Sequence, residues 1–483
     1  MIRFRRILVA VGTSTALVLA AAPAAHAVGP FEQNPTRSGD AGVVSASENI
    51  ELVGGNGTWM ADAKRFTYHS TDSMGRASVD RATYIEPRMP WTGDGPRPLV
   101  AIAPGTQGAG EKCDPSNTVT QGIAVDFTPL DLGISYELLP AAEHLSRGAA
   151  IVLIDHHRNP DTGSQEYVDN ISSGQSLLDA AVAARDFGVD PATPVGLYGY
   201  SQGGGASGWA AENAHVYAPE LNIVASAVGA PPSTLVEVLD SIDGSILTAA
   251  AAYAINGVLS KDPELREEVY ETELNDAGRR WLDSSDQLCV VGSVIDSGYR
   301  STSKYTADGS TLGEIIADRY PHVLVELERQ QLGKKAPGHD VFLWGGVNDD
   351  IIPIEQIRAV NAAWSGQGAE VTYVEDPTVR IPGRAAINHI VPMLSQFVAA
   401  ADFLWARMAP GYASTIPGLP GSLTPQPPQL PGLPGLPGSD AGSVAPGTPA
   451  APEVPGAASI AGLPEQAAIP SFDSLPSVGV GGA

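Results

Sequence analysis

The sequence predicts an α/β domain with a mostly parallel central sheet over residues 45–410. Short apolar runs recur along this part of the chain, as at 99–103, 149–154 and 223–228. Continuous apolar runs are typical of strands that a parallel sheet buries on both faces. Helical stretches such as 174–185 lie between the runs, and this alternation favours an α/β architecture.

The other elements of the predicted sheet follow the same pattern in chain order. Two strands are expected before the apolar runs, on either side of a turn at 72–75 that is rich in polar residues and ends in glycine. These two strands cover 65–70 and 76–85. Later strands are predicted at 195–198, 341–344 and 371–374, and a helix is predicted at 202–213.

One interval, from 232 to 338, breaks the alternation with a series of helical signals. The predicted helices cover 235–239, 247–259, 263–274 and 311–331. About 100 residues of helix between two core strands exceed an ordinary connection. We interpret the interval as a helical cap over the functional site, and a packing subdomain without mobility is the alternative.

The N-terminus has the pattern of an export signal. Arg3, Arg5 and Arg6 precede an apolar run from residue 7 to about 22, and Ala25-His26-Ala27 supplies small residues at a cleavage site. The alternative is a membrane anchor, but the run is short for a full span. Residues 1–27 are therefore predicted to be a signal peptide, followed by an N-terminal extension at 28–44. The mature chain is expected to be secreted, without a transmembrane segment.

The C-terminal residues 411–483 differ in composition from the rest of the chain. They are rich in proline, glycine, alanine and serine, and Leu-Pro-Gly repeats at Leu430, Leu433 and Leu436. Such a segment cannot bury enough apolar surface to offset its chain entropy. It is predicted to be a disordered tail, which leaves one folded body.

Charge and cysteine content narrow the function classes. The chain has 28 lysine and arginine residues against 54 acidic ones, for a formal net charge of −26. A polyanion repels nucleic acids and anionic lipid head groups, so nucleic acid is not an expected partner. Cys113 and Cys289 are the only cysteines. In an exported chain they are expected to form a disulfide, and a catalytic thiol is the alternative.

The strongest local motif is Gly-Tyr-Ser-Gln-Gly at 199–203, between a predicted strand and a predicted helix. This context is that of the nucleophile elbow, in which a tight turn presents a serine hydroxyl. Glycines on both sides allow neighbouring elements to approach the strained turn. Ser201 is therefore the candidate nucleophile, and a plain glycine-rich turn is the alternative.

A serine hydroxyl needs a base, and in this fold class the order along the chain is serine, acid, histidine. His389 follows the last predicted strand and a loop, just before a predicted terminal helix, which is the position required of the base. The acid is expected just after the strand at 341–344, where Asp349 and Asp350 are both candidates. One of them would orient the imidazole of His389.

Two backbone N–H groups are expected to stabilise the oxyanion. One belongs to Gln202, directly after the nucleophile, and the other to Thr106 or Gln107 in the glycine-rich loop after the strand at 99–103. The loop lacks the lysine of a phosphate-binding loop. No metal-binding cluster is predicted, and the adjacent pair at 156–157 is interpreted as two histidines that bind no metal.

With these residues identified, the chain resembles the secretory lipase family of α/β-hydrolases from about 84 to 405. The resemblance rests on four segments of the sequence: 103–116, 199–206, 217–222 and 274–278. It implies an α/β-hydrolase fold with a helical cap and hydrolysis of triacylglycerols and other carboxylic esters without a cofactor. The family's Gly-x-x-Asp-x-x-x-Pro pattern maps onto Asp349, four residues before Pro353, and selects it over Asp350.

The expected partner is a small-molecule or lipid ester, and transient contact with a lipid interface is possible. The expected location is extracellular, either free or associated with the cell wall. Two alternatives remain open at this point. A cell-envelope acyltransferase would use the same triad, because both reactions share the acyl-enzyme. A non-catalytic envelope-binding module would use the body for binding and the tail as a spacer.

Overall fold

The computed structural model describes residues 37–411, which contain eleven strands. They are β1 (Val44–Ile50), β2 (Ala61–Thr71), β3 (Ala77–Pro87), β4 (Leu99–Ala103), β5 (Ile123–Phe127), β6 (Leu130–Ile134), β7 (Ala150–Ile154), β8 (Pro194–Tyr200), β9 (Asn222–Gly229), β10 (Asp340–Gly346) and β11 (Val371–Asp376). Nine of these strands form one sheet in the order β1-β2-β3-β7-β4-β8-β9-β10-β11, and β5 pairs with β6 in a separate hairpin. The predicted fold class is confirmed.

The same residues form fourteen α-helices. They are α1 (Asn56–Trp59), α2 (Pro115–Thr118), α3 (Leu138–Ser146), α4 (Asn170–Ala183), α5 (Gln202–Tyr217), α6 (Leu235–Ile242), α7 (Ala249–Leu259), α8 (Pro263–Glu268), α9 (Asp276–Ser285), α10 (Val290–Ser297), α11 (Leu312–Arg319), α12 (Pro321–Arg329), α13 (Ile354–Gly366) and α14 (Ile387–Met408). A π-helical turn, Val269–Glu273, continues α8.

Strand direction determines where the functional loops meet. β7, β4, β8, β9, β10 and β11 are parallel neighbours, whereas β1, β2 and β3 are antiparallel. Every residue of β4 and β7 is buried, as their continuous apolar sequences predict. The loops after the parallel strands therefore gather at one edge of the sheet, where open α/β sheets bind ligands.

Helices cover both faces of the sheet. At the end of β10, a side chain on Gly345 would meet Ile357 of α13, whereas one on the next residue, Gly346, would meet Pro392 of α14. Since successive strand residues point to opposite faces, α13 and α14 lie on opposite sides. α5 shares the side of α13, because Trp364 of α13 donates a hydrogen bond to Glu212 of α5.

The interval between β9 and β10 is helical, with α6 to α12 in sequence. The expectation of one continuous helix at 311–331 is wrong, because the segment forms two helices that meet at Pro321. Proline lacks an N–H group and is tolerated in the first turn of a helix, so it begins α12. α9 and α10 were not predicted.

The two cysteines form the expected disulfide, with 5.4 Å between their Cα atoms. Cys113 lies in the segment after β4, and Cys289 lies directly before α10 of the helical interval. Gly108 pairs with Cys289 as an isolated β-bridge. The disulfide therefore fastens the helical interval beside the loop that follows β4.

Among residues 37–411, α14 is the one helix long and apolar enough to cross a membrane. The core helix of a soluble protein passes the same test, and α14 contacts β8, β9, β10 and α3. The expected signal peptide at 1–27, residues 28–36 of the N-terminal extension and residues 412–483 of the tail lie outside the described residues.

Candidate active site

Ser201 occupies a strained turn between β8 and α5. Its φ of 58° and ψ of −122° lie outside the regions that non-glycine residues ordinarily adopt. Its N–H donates to the carbonyl oxygen of Gly229 at 2.9 Å, and its own carbonyl accepts from the N–H of Gly205 at 3.0 Å. These two bonds hold the turn while the hydroxyl projects from the carboxyl end of the sheet.

Gly199 and Gly203 lie where neighbouring backbone atoms leave no room for a side chain. A Cβ atom on Gly199 would lie 2.0 Å from the carbonyl oxygen of Gly203, and one on Gly203 would lie 2.1 Å from that of Ala103. Real Cβ atoms do not approach backbone oxygen this closely. The two glycines therefore let β4, β8 and α5 converge around the serine.

A hydrogen-bonded chain links Ser201 to His389 and Asp349. Nε2 of His389 lies 2.9 Å from Oγ of Ser201, and Nδ1 lies 2.7 Å from Oδ2 of Asp349. The side chains of His389 and Asp349 are 7% and 0% exposed. The structure thus brings the three residues together in the order that acyl transfer by a serine requires.

Asp349 and its neighbour Asp350 have separate partners. The second carboxylate oxygen of Asp349 accepts from the N–H groups of Ile351 and Ile352, both at 2.9 Å. Asp350 instead accepts from the N–H of Ala386 at 3.0 Å, where the chain enters α14, and burial raises the pKa of its carboxyl. Asp349 is the carboxylate that contacts the imidazole.

His389, the predicted base, lies within the first turn of α14, slightly later in the element order than expected. The hydroxyl of Tyr200 donates to the backbone carbonyl of His389 at 2.7 Å, and the two rings are 5.1 Å apart. Tyr200 thereby connects the turn at Ser201 to His389. This contact was not predicted from the sequence, because the tyrosine occupies a variable position of the elbow motif.

The loop after β4 lies beside Ser201. Thr106 and Gln202 line the same cavity as Ser201. Within residues 37–411, the backbone N–H of neither residue donates a hydrogen bond. Gln107 does not line that cavity, since its side chain donates to Glu137 at 2.5 Å and its carbonyl accepts from Val290. The structure therefore places two of the three expected oxyanion residues at the site.

The cavity above Ser201 is apolar and holds about 1100 Å³ of space outside protein atoms, part of it open to solvent. Aliphatic side chains of the helical interval form most of its wall, including Leu239, Ala251, Val258, Leu265, Ile315 and Val323. Few polar side chains reach it. The cavity therefore suits a long apolar group better than a charged or sugar ligand.

His156 and His157, which follow β7, have pKa values shifted in opposite directions. Burial lowers the pKa of His156 to about 4, so the neutral ring donates to the carbonyl of Pro104 at 2.7 Å. Burial also opposes charge on His157, but Asp80, 2.8 Å away, and Glu166 raise its pKa to about 9.

The ring of His157 also belongs to a group that could hold a metal ion, since donor atoms of Asp72, His157 and Glu166 lie within 4.8 Å of one another. The carboxylates of Asp72 and Glu166 already form ion pairs with cationic side chains. Arg76 pairs with Asp72 at 2.6 Å, and Lys261 lies 3.5 Å from Glu166. The cluster is thus an ion-pair network that connects the core to the helical interval.

A family model described as secretory lipase matches residues 126–413, more than half of the chain. The chain belongs to the secretory lipase family. The match includes Ser201, Asp349 and His389, and it confirms the resemblance drawn from the sequence segments.

Several curated proteins of the secretory lipase family are similar to this chain. A Mycobacterium tuberculosis protein named as a probable inactive lipase is 28% identical over 69% of this chain and 73% of its own length. A secreted triacylglycerol lipase of Malassezia globosa is 27% identical over 54% and 55%, and lipase 6 of Candida albicans is 26% identical over 62% and 64%. The matched region thus spans less than two thirds of these two fungal relatives.

Solved structures support the fold. Candida antarctica lipase A has a TM-score of 0.64 at 19% identity, covering 77% of this chain and 84% of that one. The rice cell-wall-degrading esterase LipA of Xanthomonas oryzae has a TM-score of 0.58 at 18% identity, covering 76% and 99%. At these identities the likeness establishes the α/β-hydrolase fold alone.

Proposed function

We propose that this protein is a secreted serine hydrolase that cleaves carboxylic esters, with triacylglycerols as the expected substrate class. The observation that carries the proposal is the hydrogen-bonded chain from Ser201 through His389 to Asp349. Membership of the secretory lipase family supports both the reaction class and an extracellular location, and the disulfide fits an oxidising compartment.

In the proposed acylation step, His389 takes the proton of Ser201 as its oxygen attacks the ester carbonyl. The negative charge that develops on the carbonyl oxygen accepts hydrogen bonds from the free N–H groups of Gln202 and Thr106. Asp349 stabilises the imidazolium that forms. The imidazolium then protonates the departing alcohol, and the acyl group remains on the serine oxygen.

Deacylation repeats the sequence with water as the nucleophile. His389 takes a proton from the water molecule, the new oxygen–carbon bond forms, and the serine oxygen leaves with the proton returned by the imidazolium. The products are a carboxylic acid and the regenerated enzyme. Besides water, this chemistry uses side chains and backbone groups of the chain.

The apolar cavity supports a fatty acyl group as the part of the substrate that is buried. Its walls bury methylene groups at roughly 0.8 kcal/mol each, so each added carbon that fits should strengthen binding. The charge of −26 disfavours anionic head groups and favours a neutral ester. We therefore propose esters of medium and long fatty acids.

A fluorophosphonate probe and a series of p-nitrophenyl esters test the proposal. We expect the wild type to react covalently with the probe and to hydrolyse the esters, with kcat/KM rising with acyl length until the cavity is filled. Ser201→Ala should lose both activities. Ser365→Ala, which alters an exposed serine of α13, and His322→Ala, which alters an exposed histidine of α12, should retain them.

Other results would indicate a different function. A folded wild type that neither reacts with the probe nor cleaves any ester would support the binding-module alternative. A lack of activity would also agree with the name of the mycobacterial relative, a probable inactive lipase. Products in which the acyl group moves to an added alcohol in preference to water would instead support acyl transfer.

A further inference from the structure

The loop that follows β4 is held by hydrogen bonds at each of its first four residues. His156 donates to the carbonyl of Pro104 at 2.7 Å, and Tyr136 donates to the carbonyl of Thr106 at 3.0 Å. Gly105 and Gln107, on either side of Thr106, both donate to one side chain, that of Glu137. The orientation of the Thr106 peptide therefore depends on Glu137 from both directions.

Glu137 bridges the loop with both of its carboxylate oxygens. Oε1 accepts from the N–H of Gly105 at 2.7 Å, and Oε2 accepts from Nε2 of Gln107 at 2.5 Å. A carboxylate accepts at both oxygens, whereas a glutamine side chain at this position would present a donor to one of the two partners. A side chain with two acceptor oxygens is therefore matched to this arrangement.

The surroundings of Glu137 make its burial costly. The residue is 4% exposed, and burial raises the pKa of its carboxyl to about 8. Within residues 37–411, no lysine, arginine or histidine forms an ion pair with it. Burial of a carboxyl group without a cation is unfavourable relative to an apolar side chain of similar size, so its presence points to a role beyond packing.

Packing alone does not hold this side of the loop. A second cavity of about 600 Å³, part of it open to solvent, lies against Gly105, Tyr136, Glu137 and Tyr200. Side chains that border a cavity have fewer neighbours to restrain them than those in a close-packed core. The hydrogen bonds of Glu137, together with those of Tyr136 and His156, therefore hold the loop on the side that faces this cavity.

We propose that Glu137 is a positioning residue, which aims the N–H of Thr106 at the oxyanion by holding the residues on both sides of it. The inference rests on the proposed function, because it concerns the same reaction. Oxyanion donors act only within about 2.7–3.1 Å of the charged oxygen. A misplacement of about 1 Å costs roughly 100-fold in rate, so loosening the loop should lower kcat more than it raises KM.

Variants of Glu137 test this role against a purely structural one. Glu137→Leu removes both hydrogen bonds, and Glu143→Leu is the matched control, because Glu143 lies on α3, has a side chain that is 26% exposed and pairs with Arg147. Activities are normalised to the number of serines that a fluorophosphonate titrates, so unfolded molecules do not count. For Glu137→Leu we expect kcat to fall about 10- to 100-fold with KM changed by less than about threefold.

Inhibitors give a readout that a structural role would not change. A trifluoromethyl ketone forms a charged tetrahedral adduct on Ser201, so its Ki should rise by the same factor by which kcat/KM falls. The Ki of an uncharged ether analogue should stay constant. Unchanged trifluoromethyl ketone affinity, or a kcat equal to that of Glu143→Leu, overturns the assignment of Glu137.

A second variant covers the case in which Glu137→Leu does not fold. Gln107→Met removes the hydrogen bond at Oε2 of Glu137 and keeps the one at Oε1, so kcat should fall several-fold with KM little changed. An unchanged kcat overturns the assignment. A wild type without esterase activity overturns the proposed function itself, and the role of Glu137 with it.

Discussion

Removal of the disulfide provides a quantitative test of how the helical interval is attached. Cys113 and Cys289 are 0% and 2% exposed, so alanine is the suitable replacement, since a serine hydroxyl would be buried at both positions. The backbone hydrogen bonds beside the disulfide remain in the double variant Cys113→Ala/Cys289→Ala. The N–H of Cys289 still donates to Asp131, and that of Val290 to the carbonyl of Gln107, both at 2.9 Å.

The size of the effect follows from the loop that the bridge closes. Its ends are separated by 176 residues in sequence. In the chain-entropy model, a loop of that length restricts the unfolded chain by about 5 kcal/mol at 25 °C. Because the native contacts persist, most of this amount should be lost from the free energy of unfolding. The unfolded chain also expands without the cross-link, so the urea m-value should rise.

Equilibrium unfolding in urea, monitored by tryptophan fluorescence, measures both the free energy of unfolding and the m-value. Dithiothreitol is the internal control, since it should lower the stability of the wild type to that of the double variant and leave the variant unchanged. A loss below about 1 kcal/mol, with no change in m-value, would refute the view that the bridge restricts a long unfolded loop.

Three further changes have defined outcomes. Lys261→Met leaves the buried Asp169 without its cation, so the free energy of unfolding should fall by about 3–5 kcal/mol in urea titrations, and a fall below about 1 kcal/mol would contradict the ion-pair network. Gly203→Ala places a methyl group 2.1 Å from the carbonyl of Ala103, so fluorophosphonate labelling should drop at least about 100-fold, and normal labelling would show that the elbow tolerates a side chain. The pKa of His157 is raised from 6.5 to about 9, so its contribution to stability is complete below pH 6.5 and is lost as pH rises through 9. The stability difference between wild type and His157→Gln should therefore shrink between about pH 6 and 9.5, and a constant difference would argue against a charged ring.

The parts of the fold that could be predicted are those with local sequence signals. The strand at 99–103 is an uninterrupted apolar run, and the turn around Ser201 has glycines where neighbouring backbones approach closely. The position of His389 follows from chain order, because the parallel strands bring successive loops to one edge of the sheet. Each of these inferences uses a short local pattern or the order of elements.

Other features depend on contacts between distant residues. Glu137 acts on a loop 30 to 32 residues earlier in the chain, and no local pattern distinguishes it from an ordinary acid before a helix. The same contact turns the side chain of Gln107 away from the cavity. The break at Pro321 was missed because the apolar periodicity continues through it, although proline can begin a new helix.

The central claim is that Ser201 and His389 act as one catalytic unit. Kinetics of Ser201→Ala, His389→Ala and the double variant on one p-nitrophenyl ester test it most directly. Groups that cooperate in a single step are strongly non-additive, so each single change should lower kcat by about 10⁴- to 10⁶-fold and the double change by little more. Losses that multiply, or a His389→Ala variant within about tenfold of the wild type, would contradict the account.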